Sequence, residues 1–95
     1  MKVYIVYILK CSDNTFYTGI TSNLEKRFYE HVNGNHKNSY THSRRPVSLE
    51  FHAEFTDPNL AIDTEKQIKK WSKAKKKALI RGEFESLPNL AKKKF

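Results

Sequence analysis

Residues 3–9, VYIVYIL, are apolar at every position, the pattern of a strand buried on both faces, and the run is too short to span a membrane. It is predicted to be a central strand. Thr15 to Ile20 form a second β-branched and aromatic run, with the turn formers Ser12, Asp13 and Asn14 between the two, so the pair predicts a β-hairpin. Loop length decides which side chains share a face. A two-residue turn at Asp13 and Asn14 pairs Lys10 with Tyr17 and sets Tyr7 and Tyr17 on opposite sides. A three-residue loop, Ser12 to Asn14 with Asn14 left-handed, pairs Leu9 with Tyr17 and Tyr7 with Gly19. The longer loop, like a bulge, brings both tyrosines to one face, and Gly19 then leaves a concavity beside Tyr7 that a ligand or another backbone can approach.

After Gly19 the period changes from two to three and four. Ser22 and Glu25 match a capping box, Leu24, Phe28 and Val32 form an apolar stripe, and Gly34 stands where a helix stops. Arg27 and His31, four apart, share a helix face near that stripe and can lean toward the tyrosines. Residues 33–45 are polar and without period, which predicts a long loop with room for a turn of helix. His36, Lys37, Tyr40, His42, Arg44 and Arg45 can follow a phosphate backbone there, with Tyr40 offering an aromatic face to a base; a mobile, solvated loop is the other reading of the same residues.

Beyond Pro46, Val47, Leu49, Phe51, Ala53 and Phe55 alternate with polar residues, a third strand with one buried and one wet face. Asp57 and Pro58 cap and open a helix whose buried stripe is Leu60, Ala61, Thr64, Ile68 and Trp71, with Glu65 at its edge. Ser72 caps a last helix, KAKKKALI, which ends at Gly82 and whose lysines are expected to form a solvated face. The predicted class is α+β: a three-stranded antiparallel sheet, hairpin plus third strand, flanked by helices. Residues 1–82 form one domain, and residues 83–95 form a tail that packs in part through Phe84, Leu87 and Leu90.

Charge sharpens this picture. The 95 residues carry 18 Lys and Arg against 10 Asp and Glu, a net charge of +8. Residues 1–65 hold 7 basic and 8 acidic side chains, and residues 66–95 hold 11 and 2, so a net −1 is followed by a net +9. That asymmetry points to a polyanion, and to nucleic acid before a membrane, because no strongly apolar helix face accompanies the lysines. Lys69, Lys70 and Lys73 are the candidate phosphate contacts on the helices. The single Cys11 forms no internal disulfide, and no charged-then-apolar leader precedes the first strand, so a reducing cytoplasm is expected. The four histidines lack zinc-site spacing and there is no glycine-rich phosphate loop, which argues against a structural zinc and against nucleotide triphosphate chemistry.

Two tyrosines, a glycine, an arginine and a histidine drawn from one hairpin and one helix resemble the GIY-YIG nuclease domain. The first motif stands here as Ile5, Val6, Tyr7 and the second as Tyr17, Thr18, Gly19, with Arg27 ten residues after the second tyrosine, His31 following, and Glu65 on a later helix. The resemblance spans roughly residues 3 to 80 and is strongest to small stand-alone bacterial members. Ile5 replaces the first motif's glycine, and Ile20 stands where excision-repair relatives tend to carry a lysine. The resemblance implies a divalent-metal-dependent phosphodiester hydrolase acting on DNA, endonuclease or exonuclease, with one Mg2+ or Mn2+ held by Glu65 and bound weakly without substrate. It implies that Tyr17 activates water, that Tyr7 positions the water or the phosphate, that Arg27 offsets charge on the phosphoryl oxygens and that His31 relays a proton or touches the phosphate. With no separate DNA-binding domain in this sequence, little sequence specificity is expected, and recognition falls to DNA structure or ends by what is taken to be a monomer. A non-catalytic nucleic-acid-binding module on the same scaffold remains the second reading. For Glu65 taken alone, an exposed ion pair with Lys69 is the simpler role, and for Arg27 a pair with Glu30.

Overall fold

The computed structural model describes residues 2–37 and 39–82. The first run forms β1 (Tyr4–Lys10), which a three-residue loop joins to β2 (Phe16–Thr21). Asn14 takes the left-handed conformation at φ 66°, and the register pairs Leu9 with Tyr17 and Tyr7 with Gly19. The longer-loop parity therefore holds. Asp13 shapes the turn, its Oδ1 accepting from the Thr15 hydroxyl at 2.6 Å and the Thr15 amide at 3.2 Å.

Helix α1 (Leu24–Asn33) starts one residue later than the capping box predicts. Asn23, not Ser22, is the N-cap: its side-chain oxygen accepts from the Lys26 amide at 3.1 Å, and its own amide donates to the Thr21 hydroxyl at 3.0 Å. Gly34 ends the helix at φ 66°, its amide reaching back to the last turn. Val32 is exposed and His31 is buried in its place. Seven residues after Leu24 the helix returns to within about 20° of its starting direction, whereas eight overshoot by about 80°, so the buried seam continues through His31.

The loop after α1 contains one 3₁₀ turn, His42–Arg44. Strand β3 (Ser48–Phe55) then pairs antiparallel with β1, giving the sheet order β2-β1-β3 with β1 central. A register shift pairs Ile8 with Phe51 but Leu9 with Leu49, leaving Glu50 as the extra residue of a bulge. The bulge corrects the uniform alternation expected here. Phe51, Ala53 and Phe55 face the same side as Val6 and Ile8, while Leu49 joins Leu9 on the other.

Asp57 caps α2 (Pro58–Lys69) through its Oδ1, and Ser72 caps α3 (Lys73–Ile80). Ala61 and Ile68 of α2 and Leu79 of α3 close the core over Val6, Ile8, Ala53 and Phe55. The strands therefore divide labour by parity. One face of the sheet is a dry core under α2 and α3, and the other carries Tyr7, Leu9, Tyr17 and Gly19 toward α1. Lys76 is the exception among the α3 lysines expected to be solvated, being only 9% exposed. Burial, and then the neighbouring Lys69 charge, pull its pKa below the usual lysine value. The expected tail at residues 83–95 lies outside the described residues. Among the described residues, no helix is long and apolar enough to cross a membrane.

Candidate active site

Tyr7, 1% exposed, lies beneath the site, not in its wall. Its ring leans across β2 onto Gly19, where an added Cβ would meet the hydroxyl and the ring edge, so the concavity expected above the glycine is filled by Tyr7 itself. The Tyr7 Oη is 3.0 Å from His31 Nε2, and His31 Nδ1 is 2.7 Å from the Thr41 hydroxyl. Tyr17, half-buried, closes a triangle of rings, its centroid 6.3 Å from Tyr7 and 5.2 Å from His31. Burial first, then Tyr17, raise the Tyr7 pKa, an effect the Arg27 charge opposes and the Glu65 and Glu30 charges reinforce. His31 shifts the other way, its imidazole held neutral by burial and by Arg27.

The loop after α1 is fastened to this cluster. The Tyr40 ring stacks on Tyr17 at 6.0 Å between centroids, and the Arg44 guanidinium lies 3.9 Å over the Tyr40 ring. Arg44 also donates to Asp13 Oδ2 at 3.1 Å and to the Tyr40 carbonyl at 2.7 Å, while its own carbonyl accepts from the Ser12 amide at 2.9 Å. Arg45 donates to the His42 carbonyl at 2.9 Å and packs its guanidinium on Gly34. Tyr40, Arg44 and Arg45 thus hold the loop in place, while Tyr40 stays 41% exposed and Arg45 is exposed as well. Lys37, Lys70 and Lys73 are exposed.

Arg27 projects from α1 into a cleft of about 300 Å³ that Asn23, Lys26, Glu30 and His36 also line. Its Nε is 3.6 Å from Glu30 Oε1. Glu65 approaches from α2, which packs the opposite face of the sheet. Glu65 is 7% exposed, not a surface residue, and Lys69 Nζ sits 3.0 Å from its Oε2. The pair with Lys69 is therefore real, yet one partner is buried. Among the described residues no group of three or more His, Cys, Asp or Glu could hold a metal ion alone. An ion at Glu65 would complete its shell from water and a substrate phosphate, which suits magnesium, and Lys69 would have to leave the carboxylate oxygen it now pairs with. Sequence reasoning missed Thr41 and Ser39, which bear on this cluster from an aperiodic loop.

A small α+β domain that sets paired tyrosines on an edge strand and its neighbour, with His31 against both rings and Arg27 on the same helix, has the organisation of a nuclease-type catalytic domain. The chain belongs to the GIY-YIG family: the GIY-YIG catalytic domain matches residues 3–78. A UPF0213 protein of Syntrophus aciditrophicus is 52% identical over 82 residues, covering 85% of this chain and 93% of that protein. A UPF0213 protein of Natronomonas pharaonis is 41% identical over 80 residues, covering 84% and 93%. The solution structure of a UPF0213 protein from Bacillus halodurans superimposes with a TM-score of 0.55 at 33% identity, covering 83% of each chain.

Proposed function

We propose that this protein hydrolyses phosphodiester bonds in DNA with one divalent metal ion, Mg2+ or Mn2+, selecting DNA structure or ends with little sequence preference. The observation that carries this reading is the cluster of Tyr7, Tyr17 and His31 on one face of the sheet, hydrogen-bonded and ring against ring, with Arg27 one turn before His31 on the same helix. Simple binding of a polyanion calls for lysines and has no use for a buried glutamate or for a tyrosine–histidine cluster.

In this reading Glu65 would hold the metal, and a bound ion would supply Lewis acidity. Arg27, always charged and set at the edge of an open cleft, binds the scissile phosphate and offsets charge that builds on its oxygens. Tyr17, the more accessible phenol, orients the attacking water. Tyr7 stays protonated beneath it and donates a hydrogen bond to His31, whose imidazole is kept neutral by burial and by Arg27. Lys69, Lys70 and Lys73 guide the backbone of the nucleic acid along α2 and α3, within the chain's +9 final third.

The test is cleavage of labelled duplex, nicked, branched and single-stranded DNA with magnesium or manganese, comparing wild type with Glu65→Ala and Arg27→Ala, and with binding measured on the same samples. Metal-dependent cutting that both substitutions abolish, with binding largely kept, is the expected result. Salt-sensitive binding with no cutting on any substrate would overturn it in favour of a binding module.

A further inference from the structure

A run of hydrogen bonds connects Tyr7 to the loop, buried from Tyr7 Oη to His31 Nε2 at 3.0 Å and from His31 Nδ1 to Thr41 Oγ1 at 2.7 Å, and part-buried from Thr41 Oγ1 to Ser39 Oγ at 3.3 Å. Thr41 is 1% exposed and His31 5%, so water does not freely replace a missing partner. A neutral imidazole donates from one nitrogen and accepts at the other, which makes the two ends of the ring interdependent. At one end, the Tyr7 phenol keeps its proton because burial and Tyr17 raise its pKa. That proton needs an acceptor, and His31 Nε2 is the one in hydrogen-bond contact. Nε2 then carries no proton, Nδ1 carries it, Thr41 Oγ1 accepts it, and the Thr41 proton turns to Ser39.

We propose that Thr41 is a positioning residue that holds His31 in the Nδ1–H tautomer, keeping Nε2 open to the Tyr7 proton. The inference rests on the nuclease reading only for its effect on cutting. A threonine suits the task. Its hydroxyl accepts and donates at once, and its branched side chain has few rotamers. Its backbone is pinned as well, the Thr41 carbonyl accepting from the Arg44 amide at 3.1 Å in a loop that Arg44 latches to Asp13. A threonine that merely filled space would leave the tautomer of His31 indifferent to its hydroxyl.

Nitrogen-15 NMR of the His31 ring reads the tautomer directly, in wild type, Thr41→Val and Thr41→Ser. Expected are a protonated Nδ1 in wild type, loss of that single tautomer in Thr41→Val, and its return in Thr41→Ser. Cleavage, measured alongside, should slow in the valine variant with DNA affinity unchanged and recover in the serine variant. A protonated Nε2 in the wild type overturns the proposal even should the valine variant misfold, and so does an undisturbed Nδ1–H tautomer in a folded Thr41→Val. The NMR measurement needs no DNA. A protein that cuts nothing would sink the nuclease reading while the tautomer assignment stands or falls on its own spectrum.

Discussion

Gly19→Ala should destabilise the protein, although the usual rule for a strand interior says the opposite. Alanine in mid-strand ordinarily gains roughly 0.5–1 kcal/mol over glycine because it has less chain entropy to lose, and Gly19 sits in regular β2 pairing opposite Tyr7 with no left-handed backbone to protect. What it protects is Tyr7. The new Cβ would lie on the Tyr7 hydroxyl and Cζ and 3.0 Å from Cε1. The ring has nowhere to go, because its hydroxyl is bonded to His31 and the rings of Tyr17 and His31 stand against it. Overpacking of this kind costs about 1–3 kcal/mol, and swinging the ring aside instead forfeits a hydrogen bond worth roughly 0.5–1.5 kcal/mol. The contact outweighs the entropy gain, leaving a net loss of about 1–2 kcal/mol, or on the order of 4–16 °C in Tm for a domain of this size. Denaturant unfolding should show a lower midpoint with an unchanged slope. Tyr7→Phe removes the nearest clashing atom, so the double variant should lose less than the two single losses combined. A Gly19→Ala protein as stable as wild type, or strictly additive losses, would refute the argument.

Lys76→Met should stabilise the fold at neutral pH by roughly 1 kcal/mol, since it removes an ammonium buried beside Lys69; the depressed lysine pKa means the wild type regains that stability as pH rises through the folded value toward the ordinary one, so the two proteins should converge at alkaline pH in denaturant titrations, and a constant gap would count against it. His31, whose folded pKa is also depressed, contributes stability that is intact above its ordinary value of about 6.5 and is lost as pH falls through the folded value. His31→Gln should therefore show a flatter acid limb of stability against pH than wild type, and parallel limbs would rule this out. Arg44→Ala removes a half-exposed ion pair and a cation–π contact, and hydrogen exchange at the Ser12 amide, which bonds the Arg44 carbonyl, should quicken; unchanged protection there would show that the latch holds nothing.

The hairpin was legible because strand parity leaves few choices: once Ser12, Asp13 and Asn14 form the loop, Tyr7 must face the same side as Tyr17. Glu65 was legible as a carboxylate beside an apolar stripe, and its burial bears out the oddity of that placement. Local pattern failed where two candidates stood one residue apart, as with Ser22 and Asn23 for the cap, or Val32 and His31 for the seam. There the deciding contacts are fractions of a helical turn. It failed again in β3, where a bulge at Glu50 reverses the alternation without leaving a mark in the residues themselves. The loop was the least readable segment. The contacts of Arg44 with Asp13 and of Tyr40 with Tyr17 join residues far apart in the chain and leave no local pattern, and nothing aperiodic could have announced that Thr41 meets His31.

The division of the sheet into a dry face and a reactive face has a consequence for when the protein becomes competent. Tyr7, Tyr17, Arg27 and His31 all come from the first third of the chain, and Glu65 alone arrives from α2, the helix that seals the core. On the nuclease reading, a chain whose core has not closed lacks its metal carboxylate. On that reading hydrolytic power would be withheld until packing is finished, and a partly folded chain would leave nucleic acid intact.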